Sequence, residues 1–185
     1  LGSGAFVGSD KIIGSGLSVA GVHTAAPFTF TEAMVSTGAK GLGVLVKGVD
    51  PARSGKVTEI EGNLCKSVNS EGRCIRYAKN APPEGTLVEL LSETDGMAQV
   101  VVGVELFRKL GQPLGSVISV TTPVGISGAR GNAPRRLHFR LGGVFESGMY
   151  EFDSRLLFVA LESGQELMGF GKAVSGVEVR VAGPN

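Results

Sequence analysis

Two β-rich runs, PFTFTEAMVS at Pro27–Ser36 and LGVLVKG at Leu42–Gly48, are separated only by Thr37-Gly38-Ala39-Lys40-Gly41. Strand-forming residues on both sides of a short glycine-containing link are the signature of a hairpin. Strand signals dominate the rest of the chain. The run at Val46–Pro51 predicts a turn, because Pro51 cannot donate to a ladder and restricts Asp50 before it. From Val100, VVVGVELFRKLGQPLGSVISV reads as a short strand and then a helix from about Val104 to Leu110. Leu106, Phe107 and Leu110 share one face of that helix, Gly111 stands at the C-cap, and Pro113 bars continuation.

Ser116–Val120 predicts the next strand. In Leu137–Val144, Leu137, Phe139 and Leu141 alternate with Arg136, His138 and Arg140, the period of a half-buried strand with a cationic outer face. Leu156–Leu161 predicts a buried strand, Glu162–Met168 a short helix and Val177–Val181 a closing strand. The most polar stretch, residues 52–83, closes with Ala81-Pro82-Pro83-Glu84-Gly85 and is expected to leave the core as an excursion. These elements predict an α+β fold with mixed sheets.

Charge and hydropathy exclude several functions. Eighteen Lys and Arg against 17 Asp and Glu lack the basic excess of a nucleic-acid-binding domain, so any basic site is local. The apolar stretches stop well short of the roughly 20 residues a spanning helix needs. Leu1–Ser18 is Gly/Ser-rich and lacks the basic start and apolar centre of a signal peptide, so export is not expected to be encoded there. The 29 glycines follow no fixed period, which excludes collagen-like and solenoid repeats.

Candidate chemistry is sparse. His23 and His138 are the only histidines, and neither has a companion motif. Glu146, Glu151 and Asp153 cluster in ESGMYEFDS, where a pair could act as acid and base only if their environments differed, and are expected to be solvated loop acids. Gly2–Gly8 has one residue too many for a dinucleotide fingerprint, and Ser54-Gly55-Lys56 lacks both the first glycine and the final hydroxyl of a phosphate-binding loop. Cys65 and Cys74 flank CKSVNSEGRC and cannot alone complete a zinc site. They are either a loop-stapling disulfide or two unrelated thiols, and their polar surroundings favour the bridge.

The segment Thr121–Arg140, TTPVGISGARGNAPRRLHFR, joins two strands through a long link bounded by Pro123 and Pro134 and free of acidic residues. Links of this length between paired strands are commonly functional or disordered. It is either a loose connector or an arm with Val124 and Ile126 at an apolar tip. In the second case Arg130, Arg135, Arg136, His138 and Arg140 form a basic base for an acidic partner.

GVELFRKLG and, after a strand and the link, RLHFRLGGVFESGMYEFDSRLLFVALESGQELMGFG resemble the periplasmic part of the LolC/LolE permease family of lipoprotein-releasing ABC transporters, relatives of MacB-type permeases. The likeness runs from about Val100 to Val181, with HTAAPF and the GVDP turn upstream also similar. The quoted likeness does not include residues 52–83.

The resemblance implies a non-catalytic domain on the periplasmic face of the inner membrane, without a cofactor. It implies a porter-like lobe from residues 1–95 and 159–185, and an inserted strand-rich sabre-like lobe at 96–158 with a hook at 123–134. Pro123, Val124, Ile126, Arg130, Pro134, Arg135 and Arg136 then become candidate contacts for a LolA-like carrier, although Ser119 stands where a pad arginine is expected. A second permease subunit, a LolD-like ATPase and a lipoprotein substrate are the other implied partners. The alternative is a MacB-type efflux permease domain that contacts an adaptor protein.

Overall fold

The computed structural model describes residues 5–38, 40–83, 85–123, 127–128, 131–132, 134–169 and 171–182. The first part of the chain forms α1 (Ser9–Leu17), β1 (Val22–Thr37), β2 (Lys40–Val49), α2 (Pro51–Val57), β3 (Cys65–Val68), β4 (Cys74–Arg76) and α3 (Thr86–Leu91). The middle forms β5 (Gln99–Gly103), α4 (Val104–Leu110), β6 (Val117–Thr122), β7 (Ser127–Gly128), β8 (Gly131–Asn132) and β9 (Arg135–Phe145). The last part forms α5 (Tyr150–Arg155), β10 (Leu156–Ala160), α6 (Leu161–Met168) and β11 (Gly176–Val181).

Seven strands form one mixed sheet in the order β11-β1-β2-β10-β5-β9-β6. β1 is long enough to serve three neighbours: its first half pairs with β11, Phe28–Thr37 with β2, and its end with β6 through Met34↔Thr121, Val35↔Val120 and Ser36↔Ser119. The last pairing closes β1, β2, β10, β5, β9 and β6 into a six-stranded ring. β10–β2 and β5–β9 are parallel, and the other ring ladders are antiparallel.

Alternation along each strand supplies the core. Ala33 and Val35, Val44 and Val46, Val100 and Val102, Ile118 and Val120, Phe139 and Leu141, and Leu157 and Val159 form one buried cluster, joined by Leu106 and Leu110 of α4 and Leu167 of α6. On the opposite face of β5 and β10, Val101 and Phe158 join a second cluster with Ile60, Leu64, Leu87 and Leu91. β5 is therefore buried on both faces, which explains its uninterrupted VVV.

Local signals match several elements closely. α4 occupies the predicted span, and Gly111 at its end has φ 62°, a left-handed cap that glycine takes without a steric penalty. The segment after Gly48 departs from expectation: Asp50 caps a helix rather than opening a simple turn. Its carboxylate accepts from Ala52 N at 3.1 Å and Arg53 N at 3.3 Å, and Pro51 takes the first helical position, where no N–H is needed.

Nor do residues 52–83 leave the core altogether. Ile60, Leu64 and Cys65 are buried within it, and a disulfide joins Cys65 to Cys74 across the β3–β4 ribbon. The seven-stranded sheet also runs across the residue 95/96 and 158/159 boundaries, so strands from the segments expected as separate lobes share one ladder system.

α6 lies against the β1–β2 hairpin where Gly164 meets Gly48, beside the Thr29 hydroxyl. A Cβ on Gly164 would stand 2.9 Å from Gly48 Cα and 2.1 Å from Thr29 Oγ1, while one on Gly48 would stand 2.2 Å from the same oxygen. Thr29 is 1% exposed, so the helix can seat here only because positions 48 and 164 are both glycine.

Candidate docking surface

β6 and β9 pair antiparallel from Val117↔Arg140 to Thr122↔Arg135, and the 123–134 link continues from the end of that ladder. Within the link, Ser127↔Asn132 and Gly128↔Gly131 form a separate two-stranded ladder apart from the main sheet. Pro123 and Pro134 are exposed at its two roots. Val124, Ile126 and Arg130, the expected tip and one of its cations, lie outside the described residues.

The basic residues of β9 divide by strand parity. Arg136 and His138 are exposed, and Arg140 is half-buried on the same face. Arg136 Nε donates to Thr121 Oγ1 at 3.2 Å, Ser119 Oγ lies 3.0 Å from His138 Nδ1, and Arg140 Nη1 donates to the Gly115 carbonyl at 3.1 Å. Each contact reaches across to the β6 side and holds its side chain in place. Arg140 also lies 3.7 Å from the Asp95 carboxylate, an exposed pairing that stabilises by at most about 1 kcal/mol.

Arg135 belongs to the opposite face, where Nη1 donates to the Glu166 carbonyl of α6 at 3.2 Å. The two adjacent arginines therefore do not form one basic pad. Arg136, His138 and Arg140 form a strip of basic residues, whereas Arg135 ties the start of β9 to α6.

The acids of ESGMYEFDS do not converge on a reactive centre. Asp153 departs from the solvated-loop expectation, being 3% exposed. Its carboxylate accepts from Ser147 N and Ser147 Oγ at 2.8 Å, and from Gly148 N at 3.1 Å, so it organises the turn before α5. Glu146 faces the disulfide ribbon: Arg76 Nη2 donates to its backbone carbonyl at 2.7 Å and its carboxylate at 3.2 Å. Glu151 is exposed in the first turn of α5. His23 and His138 sit on different strands, β1 and β9. Among the described residues, no group of three His, Cys, Asp or Glu is placed to hold a metal ion.

An open cleft of about 800 Å³ separates the ribbon tip, Asn69–Gly72, from α4 and residues 111–114. Its one carboxylate, Glu71, pairs with Arg73, and Arg108 Nε donates to the Gly72 carbonyl at 3.0 Å. Its walls hold these bonds and the apolar sides of Val68, Phe107 and Leu114. Among the described residues, no helix is long and apolar enough to cross a membrane.

No family model matches the chain. Over 164 residues, 89% of its length, it is 26% identical to the lipoprotein-releasing system transmembrane protein LolC of Neisseria meningitidis serogroup B, and it spans 34% of that protein. Its fold is similar to the extracellular domain of the noncanonic ABC-type transporter YknZ from Gram-positive bacteria, with TM-score 0.58 and 13% identity over 98% of this chain and 76% of that one. It is also similar to the periplasmic region of MacB from Actinobacillus actinomycetemcomitans, with TM-score 0.52 and 12% identity over 94% and 64% of the two chains. The chain therefore has the α+β fold of the extracytoplasmic domains of MacB-like ABC permeases.

Proposed function

We propose that this chain is the periplasm-facing domain of an inner-membrane ABC transporter permease that passes lipoproteins to a soluble carrier of the LolA kind. The observation carrying this reading is the separate β7–β8 ladder in the link between two paired ring strands, beside the basic residues Arg136, His138 and Arg140; the reading takes 123–134 as a carrier-docking arm. The LolC similarity over most of the chain supports it. Pro123 and Pro134 set the two roots, Val124, Ile126 and Arg130 contact the carrier, and Arg135 positions the arm against α6. Arg136 meets acidic groups on the carrier.

The reading assigns no bond-making residue to this chain. Nucleotide hydrolysis belongs to a LolD-like subunit, and membrane helices outside the described residues transmit its motion to this domain and to a second permease subunit. The segment 96–158 supplies the sabre-like part with the hook and the remainder the porter-like part, the two sharing one sheet.

Arg136→Glu, alone and with Arg135→Glu, is expected to weaken carrier binding at least tenfold in a calorimetric titration. The wild-type affinity should fall with added salt, because exposed charges are screened over about 8 Å at physiological ionic strength. Equal affinities for wild type and both variants would reject carrier docking at this face. Loss of residues 124–133 with lipoprotein release unchanged would instead favour an efflux permease whose domain contacts an adaptor.

A further inference from the structure

β11 ends the main sheet: among the described residues its only strand partner is β1. The isolated Phe6–Val174 bridge lies before β11 begins. The strand is short and apolar on one face, with Val179 49% and Val181 59% exposed, and its other face carries Glu178 and Arg180. An edge with unpaired backbone groups is a template for a further strand.

The order of residues along this edge selects its partner. In an antiparallel pairing of two β11 strands centred on Val179, Val179 faces Val179, Val177 faces Val181, and Glu178 of each copy faces Arg180 of the other. Shifting the centre to Glu178 or Arg180 brings like charges opposite one another, as does a parallel pairing in equal register. A shift of one residue in the sum of partners moves the valines to the wrong face. Only one two-fold register satisfies both faces.

The surrounding charges leave room for this partner. Glu178 Oε1 is held by Lys47 Nζ, but Oε2 is buried without a hydrogen-bond partner. Arg180 is half-exposed, giving one nitrogen to Glu59 Oε1 at 2.9 Å and another to the Lys56 carbonyl at 3.2 Å. A facing arginine adds a donor beside Glu178.

We propose that the β11 edge is an interface for a second copy of this chain, paired antiparallel about a two-fold axis at Val179. Such an interface is isologous. It is small, so the isolated domain associates weakly and a covalent trap is the appropriate probe.

Facing residues in an antiparallel ladder lie about 4.5–5.5 Å apart, within disulfide reach. With Cys65 and Cys74 already bonded, oxidised Val179→Cys protein is expected to give a disulfide-linked dimer. Val181→Cys should link only to Val177→Cys, and poorly to itself. Glu178→Arg and Arg180→Glu should each weaken self-association roughly tenfold in sedimentation velocity, because two facing pairs turn from attraction to repulsion. An equimolar mixture of these two variants should associate at least as well as wild type, since each mismatched charge then meets its opposite. A circular dichroism melt of each variant establishes that it is folded.

Absence of a Val179→Cys dimer, or failure of the mixture to recover association, would overturn the proposal. Dimerisation equal to wild type in both charge variants would also overturn it, by placing the interface elsewhere.

Discussion

Replacing Gly164 by alanine tests the seating of α6 on the hairpin. In an open helix this change stabilises by about 1 kcal/mol, because alanine is the better helix former. Here the added methyl meets Thr29 Oγ1 at 2.1 Å and Gly48 Cα at 2.9 Å, both closer than van der Waals contact permits. Thr29 is buried and β-branched, so its χ1 is stiff and packed neighbours resist its rotation. Overpacking of this kind costs about 1–3 kcal/mol, and a contact near 2 Å belongs at the upper end. Set against the helix gain, the net destabilisation is about 2 kcal/mol. For a chain of 185 residues that lowers the melting temperature by roughly 4–8 °C.

The assay is a thermal melt by circular dichroism under oxidising conditions, with Thr29→Ala and the Gly164→Ala/Thr29→Ala double variant alongside. Removing the hydroxyl should recover part of the loss, leaving a coupling of at least about 0.5 kcal/mol between the two sites. A Gly164→Ala protein that melts at or above wild type would refute the close approach. Strict additivity of the two substitutions would remove Thr29 as its cause.

The other predictions concern the disulfide and the buried acid. Replacing both Cys65 and Cys74 by serine opens a loop with a sequence separation of 9 and should cost about 2–3 kcal/mol on the chain-entropy model, with reductant causing a similar loss in wild type. A melt insensitive to both would show that the ribbon is held by its packing and the Arg76–Glu146 contacts alone. Asp153→Ala removes the acceptor for Ser147 N and Gly148 N and should destabilise by about 1–3 kcal/mol in a urea titration, with Asn recovering part of this. An unchanged midpoint would return Asp153 to the status of a surface acid.

Short-range signals reveal much of this fold. The hairpin, α4 with its Gly111 cap, and β9 follow from turn residues and alternation that act within a few positions of one another. Closure of the ring does not, because Met34–Ser36 meet Ser119–Thr121 across long intervening sequence whose path no local pattern encodes. The hairpin's own turn is tighter than expected, with Thr37↔Lys40 already paired.

The division between Arg135 and Arg136 is latent in the same alternation that puts Arg136, His138 and Arg140 on one face; adjacent strand residues must point apart. Asp153 is less legible. An acid in ESGMYEFDS has the same composition whether it faces water or two backbone N–H groups, and only the tertiary path of residues 147–153 decides between them. For the arm, the sequence marks both proline roots, while the separate β7–β8 ladder depends on pairings between Gly-containing dipeptides with little intrinsic strand preference.

A hoop resists opening differently from a ribbon. Because β6 is bonded to β9 on one side and to β1 on the other, a pull on the arm cannot peel away a free edge; it must break two ladders at once or deform the whole wall. Strain entering through residues 123–134 is thus shared around the circumference and reaches the β1–β2 hairpin, against which α6 rests.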